Sequence, residues 1–338
     1  MAFPATRRKR LLFYWILFTL QLVFICLVLE FGIRAMIDRG TRVVPIFQTT
    51  SFHPFYRVSE NSRLLYEMNP RVVMPEDEKA QIPTNRSGFR DFDYGFQKDA
   101  KTFRILGLGD SIAYGMDIPF HHRYLKILEK KLNQNHSGKN FEVINAGVCG
   151  YNLTQYYHLL RDRGLAYQPD LVLISLWDDD ISPPYIPAFN RDITDPIFKL
   201  HATLIDHSKL YGFLFYRFVV SSYYSEAPDG YEKDEHYRSF EELLKLHTTG
   251  KTRVVFLYHP ELRDQGDPPD LAHLQPRMDQ AGIRWINLES AYITALGKRS
   301  LSSLSLDPGL DPAHINIEGN QIAAKALYDF LKKEKLIK

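Results

Sequence analysis

The stretch that most constrains the fold is Leu171-Val-Leu-Ile-Ser-Leu176, six residues with no charge and apolar side chains at both odd and even positions. A strand with one wet face alternates apolar and polar residues. A continuous run belongs to a strand covered on both faces, as in parallel sheets with helices on each side. Arg253-Val-Val-Phe-Leu-Tyr258 has the same character. Phe103 to Leu108, Phe141 to Asn145 and the shorter Arg284 to Leu288 are further strand signals. Between them the period changes. Arg123 to Asn135 carries Leu125, Leu128 and Leu132 at helical spacing, Leu153 to Arg163 follows the second strand, and Ile317 to Lys333 places Ile322, Ala326, Leu327 and Phe330 on one face. Strands separated by helices predict an α/β fold with a mainly parallel sheet, whose ligand site lies beyond the carboxyl ends of the strands.

A second constraint stands near the N-terminus. Leu11 to Leu29 is uncharged, with only Thr19 and Gln21 clearly polar. Nineteen helical residues span about 28 Å, close to the hydrocarbon core of a bilayer. Arg7-Arg-Lys-Arg10 precedes the run, and Glu30 and Arg34 follow it, so the stronger positive cluster predicts a cytoplasmic N-terminus. No convincing small-x-small cleavage site follows Leu29, which favours an uncleaved signal anchor over a cleaved signal peptide. The predicted organisation is a tail and transmembrane helix over 1–35, a stalk and N-terminal extension over 36–98, and a main domain over 99–338. Within that domain an aromatic insertion over 181–240 breaks the alternation, and a loop of that length beside a strand end suggests a substrate wall.

Composition narrows the classes. At 45% hydrophobic and 24% charged the chain is ordinary globular protein, neither disordered nor collagen-like. A net charge of +2 gives no reason to expect a nucleic-acid partner. Cys26 and Cys149 are the only cysteines, so there is no disulfide framework; with Cys26 in lipid the two cannot pair, and Cys149 reads as a buried small hydrophobe.

The first main-domain strand runs into Gly107-Leu-Gly109-Asp110-Ser111, which would expose the Ser111 hydroxyl at a strand-to-helix junction. An ordinary turn with an N-cap serine explains that stretch equally well. The C-terminal Asp311-Pro-Ala-His314 shifts the balance, because a carboxylate three residues from an imidazole on a loop can orient it as a base for a serine. Asn145-Ala-Gly147 and Trp177-Asp178-Asp179-Asp180 follow the second and third strands, where oxyanion donors would be required. His121 and His122 read as surface residues and His259 as a neighbour of the cleft. The three adjacent carboxylates after Trp177 read as partly solvated, and no grouping has metal-ligand spacing.

These blocks resemble the SGNH (GDSL-type) hydrolase family over roughly residues 102–335, in its order and spacing. Upstream, Asn85-Arg-Ser-Gly88-Phe89-Arg90-Asp91 resembles the segment before the first strand in membrane-anchored bacterial members. The resemblance implies a three-layer flavodoxin-like fold and acyl-ester chemistry with no metal or organic cofactor. It makes Ser111 the nucleophile, His314 the base and Asp311 its orienter, with Gly109, Asp110 and Asn145 in support. The Ser111 and Gly147 N–H groups match two oxyanion donors. The third position departs from the family: Asp178 stands where an asparagine amide is expected, and an ionised carboxylate offers no N–H. A protonated Asp178, a different donor or a slowed enzyme remain open.

The expectation is a single-pass membrane protein with its catalytic domain in the periplasm or outside the cell. It would remove O-acyl groups, acetyl foremost, from an envelope carbohydrate or lipid. Acyl transfer to a glycan and a degenerate glycan-binding or scaffolding role are the alternatives; the oligomeric state is not legible.

Overall fold

In a computed structural model of the chain the described residues are 5–38, 56–61, 63–64, 66–73, 82–135, 138–181, 200, 204, 207–215, 235–250, 252–263, 274–308, 311 and 313–337. The helices, in chain order, are α1 (Ala5–Asp38), α2 (Ser111–Tyr114), α3 (Tyr124–Asn135), α4 (Leu153–Asp162), α5 (Lys209–Phe215), α6 (Glu235–Thr248), α7 (Gln275–Gln280), α8 (Glu289–Leu296) and α9 (Ile317–Lys333). The strands are β1 (Tyr56–Val58), β2 (Tyr66–Met68), β3 (Thr102–Leu108), β4 (Asn140–Asn145), β5 (Leu171–Leu176), β6 (Arg253–Tyr258) and β7 (Arg284–Asn287). Two compact units result, Met1–Pro54 with Ile186–Glu226, and Phe55–Tyr185 with Ala227–Lys338.

The larger unit is built on a five-stranded sheet in the order β4-β3-β5-β6-β7, every neighbouring pair parallel. Renumbered within the sheet this is 2-1-3-4-5, the flavodoxin-like doubly wound order. Both faces are covered, which is why β5 is apolar throughout: all six of its residues are buried. Phe103, Ile105, Leu171, Leu173, Val255 and Leu257 point to the layer formed by α3, α8 and α9, meeting Leu128, Leu296 and Leu327. The opposite face meets α6, where the Phe240 and Phe256 rings lie 5.7 Å apart, and α4 packs on α6. Successive strands leave β3 in opposite directions, β4 to one side and β5 to the other. The crevice at such a switch point lies at the carboxyl ends of β3 and β5, and those ends carry Ser111 and Asp178.

Boundaries follow local chemistry. The Asn152 side chain accepts from Gln155 N while the Gln155 side chain accepts from Asn152 N, a reciprocal cap that starts α4. Asn316 accepts from Gly319 N and starts α9. The residues before β3 are not featureless. β1 and β2 pair antiparallel, and the Tyr66 hydroxyl donates to Cys149 O at 2.5 Å beyond the end of β4. Four helices were not anticipated: α5, α6, α7 and α8. α6 begins inside the segment read as an irregular insertion, and its buried Phe240, Leu243 and Leu244 supply one wall of the core. Tyr185, Phe189, Phe198, Tyr216, Tyr223 and Tyr224 of that insertion lie outside the described residues.

In the smaller unit α1 is long and apolar enough to cross a membrane between Lys9 and Met36, with a mean hydropathy of 2.5 in its most apolar window. Its apolar side chains are exposed from Leu11 to Leu29, and the Thr19 hydroxyl is satisfied within the helix by Trp15 O at 2.8 Å. The Glu30 carboxylate accepts from Ser208 Oγ and from the N–H groups of Lys209 and Leu210 at 2.7–3.0 Å, and so caps α5.

Candidate active site

β3 delivers the chain to Gly109, where a side chain has no room: a Cβ would lie 2.6 Å from Ala113 Cβ and 2.8 Å from Ser175 Cβ. The chain turns at once into α2. Asp110 caps that short helix, accepting from Ile112 N at 2.8 Å, and Ser111 is its first residue. Burial pushes the Asp110 carboxyl up; the Ile112 N–H, the charge on His314 and the Ser111 hydroxyl act in the opposite direction without cancelling it.

The loop that leads into α9 from α8 brings the other two groups. His314 Nε2 is 2.7 Å from Ser111 Oγ, and His314 Nδ1 is 2.8 and 3.0 Å from the two Asp311 oxygens. Asp311 Oδ1 also accepts from the N–H groups of Ala313 and His314, each at 3.0 Å. The loop itself is pinned: Ser305 Oγ donates to Asp311 O at 2.6 Å, and Leu306 N donates to His314 O at 2.9 Å. Burial acts to raise the Asp311 carboxyl, but the bond from the His314 ring, its charge and the two backbone N–H groups outweigh it and hold the pKa below the usual value.

This lowered pKa has a thermodynamic consequence. A carboxyl whose folded pKa lies below its unfolded one contributes stability above the ordinary carboxylate range and loses it as pH falls through the folded value. The melting-temperature gap between the wild type and Asp311→Asn is therefore expected to be widest near neutrality and to close below about pH 4. Thermal melts across that range check it; a gap independent of pH would contradict it.

The expected oxyanion positions fare differently. Ser111 N–H has no acceptor among the described residues. Gly147 N–H does: it donates to Asn145 Oδ1 at 2.9 Å, while Asn145 Nδ2 donates to Ala113 O at 2.8 Å. Asp178 is an acceptor, with the Tyr258 hydroxyl 3.1 Å from both of its oxygens. Burial, and then the Asp178 charge, push the Tyr258 hydroxyl well above its ordinary pKa. Asp180, read from sequence as partly solvated, is buried; its oxygens accept from Trp177 N and the Tyr156 hydroxyl, both at 2.6 Å. His259 does not border an open cleft. It is 1% exposed beneath Tyr124 and Tyr292, and burial lowers its pKa to about 3. His121 and His122 are exposed, and Cys149 is buried.

A hydroxyl, an imidazole and a carboxylate in series can deprotonate the hydroxyl as it attacks an electrophile and return the proton to a leaving group. Sequence reasoning missed Tyr258, whose nearness to Asp178 depends on the pairing of Leu176 with Tyr258 in the sheet.

No protein-family model matches the chain, and no curated protein matches it in sequence. Solved structures similar to it include an acetylxylan esterase from Geobacillus stearothermophilus, at 14% identity and a TM-score of 0.45 over 68% of this chain and 93% of that one. An α/β hydrolase from the metagenome of Lake Arreo, Spain, matches at 14% identity and a TM-score of 0.45, over 70% and 96%. An esterase from Pseudoalteromonas sp. matches at 14% and 0.44, over 69% and 99%.

Proposed function

We propose that the chain is a serine-dependent ester hydrolase of SGNH type, held at a membrane by α1. It would remove O-acyl groups, acetyl foremost, from a carbohydrate or lipid of the cell envelope. The observation that carries the reading is the unbroken series from Ser111 Oγ through His314 to Asp311 at the switch point of a doubly wound sheet. His314 Nε2 takes the Ser111 proton as Oγ attacks the ester carbonyl, and Asp311 keeps Nδ1 protonated and stabilises the imidazolium. The developing oxyanion accepts from Ser111 N–H, and it draws Gly147 N–H away from Asn145. His314 then gives its proton to the departing alcohol, and water resolves the acyl-enzyme by the same route. The charged cluster in the first turns of α1, ahead of its apolar run, supports a cytoplasmic N-terminus, and with it a periplasmic or extracellular catalytic domain.

The test is release of free acetate from acetylated oligosaccharides, and of p-nitrophenol from its acetate, by the full chain in detergent. Turnover of either ester is the expected result; none on either would overturn the reading. Adding an unacetylated acceptor glycan and weighing the products separates hydrolysis from transfer.

The same assay addresses Asp178. Its carboxylate faces Tyr258, and an asparagine there keeps a carbonyl oxygen for that hydroxyl while adding an N–H donor. One oxyanion donor is worth about 10²–10³ in rate where it is well aimed. Asp178→Asn is accordingly expected to retain or raise kcat, and a fall of tenfold or more would give the carboxylate a role of its own.

A further inference from the structure

Arg90 and Asp91, adjoining residues upstream of β3, are 2% and 0% exposed. Each reaches a different part of the site. The Arg90 guanidinium lies 4.2 Å over the Tyr114 ring and donates to Gly115 O at 2.9 Å, with Tyr114 O at 3.5 Å. These carbonyls end α2, where a helix leaves acceptors unsatisfied and favours a cation.

Asp91 reaches the other side. Its Oδ2 accepts from Asn145 N at 2.6 Å, and the Asn145 side chain then bridges Ala113 O in α2 and Gly147 N. Asp91 is fixed in turn. Lys126 Nζ is 2.9 and 3.0 Å from its oxygens, and the same ammonium reaches Val143 O at 2.8 Å and the Tyr94 hydroxyl at 2.9 Å, and pairs with Glu129. A buried ion pair is weak evidence for stability, since apolar side chains of equal volume often do as well. What it adds is direction: an ammonium ringed by acceptors and a carboxylate held through both oxygens fix the end of β4 at one place.

We infer that Arg90 and Asp91 are positioning residues, gripping α2 from its carboxyl end and, through Asn145, from Ala113 and Gly147, so that nucleophile and oxyanion donors are in register before substrate arrives. The inference rests on the reading of Ser111 as nucleophile. Displacing reacting groups by about 1 Å costs on the order of 10²-fold in rate.

The test uses the full chain in detergent with Arg90→Met, Arg90→Lys and Asp91→Asn. In Arg90→Met and Asp91→Asn, kcat on p-nitrophenyl acetate is expected to fall about 10- to 100-fold with KM within about twofold. Inactivation by an organophosphonate should slow in parallel, and Arg90→Lys should restore part of the loss. Amide exchange, followed by mass spectrometry, should quicken across 111–115 and 145–148 and stay unchanged in α9. Folded variants with wild-type kcat, or losses that only track the unfolded fraction in a melt, would overturn the inference. If Asp91→Asn does not fold, the Arg90 pair decides. A wild type that neither turns over ester nor labels at Ser111 defeats the functional reading, and the exchange of the two loops then decides the positioning role separately.

Discussion

Ser111→Ala is expected to lower kcat on an acetyl ester by roughly 10⁴-fold or more while leaving the fold in place. The rate argument is that the base is aimed at this hydroxyl: His314 Nε2 is 2.7 Å from Ser111 Oγ, and Nδ1 is committed to Asp311. The stability argument runs separately. Ser111 is buried, but its Oγ is only 3.4 Å from Asp110, whose cap on Ile112 N survives the change. The change removes that contact and the 2.7 Å bond with His314, at about 1 kcal/mol each. Groups that act as a unit are not additive, so His314→Ala should cost about as much as Ser111→Ala, and the double variant little more than either. Initial rates and thermal melts on the three variants check this. Wild-type turnover in folded Ser111→Ala would remove the serine mechanism outright.

The sheet was legible because burial on both faces writes itself into sequence. β5 has the bounds the apolar run predicts, Leu171–Leu176, as does β6 at Arg253–Tyr258, and α9 starts and stops at Ile317 and Lys333. α6 was not. Its Phe240, Leu243 and Leu244 have helical spacing, but they follow a long aromatic stretch that read as one irregular insertion. β1 and β2 are three residues each, too short to show a period.

Within the site, the legible contacts are the local ones. Asp311 and His314 are three residues apart on one loop, and their bond follows from that spacing. The contacts that alter the oxyanion picture depend on side-chain direction or on register. The Gly147 amide turns to a side chain two residues back. Tyr258 reaches Asp178 from 80 residues away because β5 and β6 are paired. Asp180 looks solvated beside two other carboxylates until Tyr156 of α4 is found hydrogen-bonded to it.

Gly147 is where packing and chemistry meet, and Gly147→Ala is expected to damage both. A methyl group there would lie 2.4 Å from Tyr114 N, 2.8 Å from Ala113 C and 3.0 Å from Tyr114 Cα, all backbone atoms of α2 that no rotamer change can clear. In a roomy position glycine to alanine stabilises by about 0.4–1 kcal/mol through the unfolded chain. Overpacking costs about 1–3 kcal/mol, and a contact with backbone belongs at the upper end, so the clash wins. Relief requires the loop and α2 to part by about 1 Å, which carries Ser111 away from His314 and is worth on the order of 10²-fold in kcat. The expected result is a lowered melting temperature together with a kcat loss that persists well below the melt. Full turnover in the folded variant would mean that α2 and the Gly147 loop need not keep this spacing, and the donor role proposed for Gly147 would fall with it.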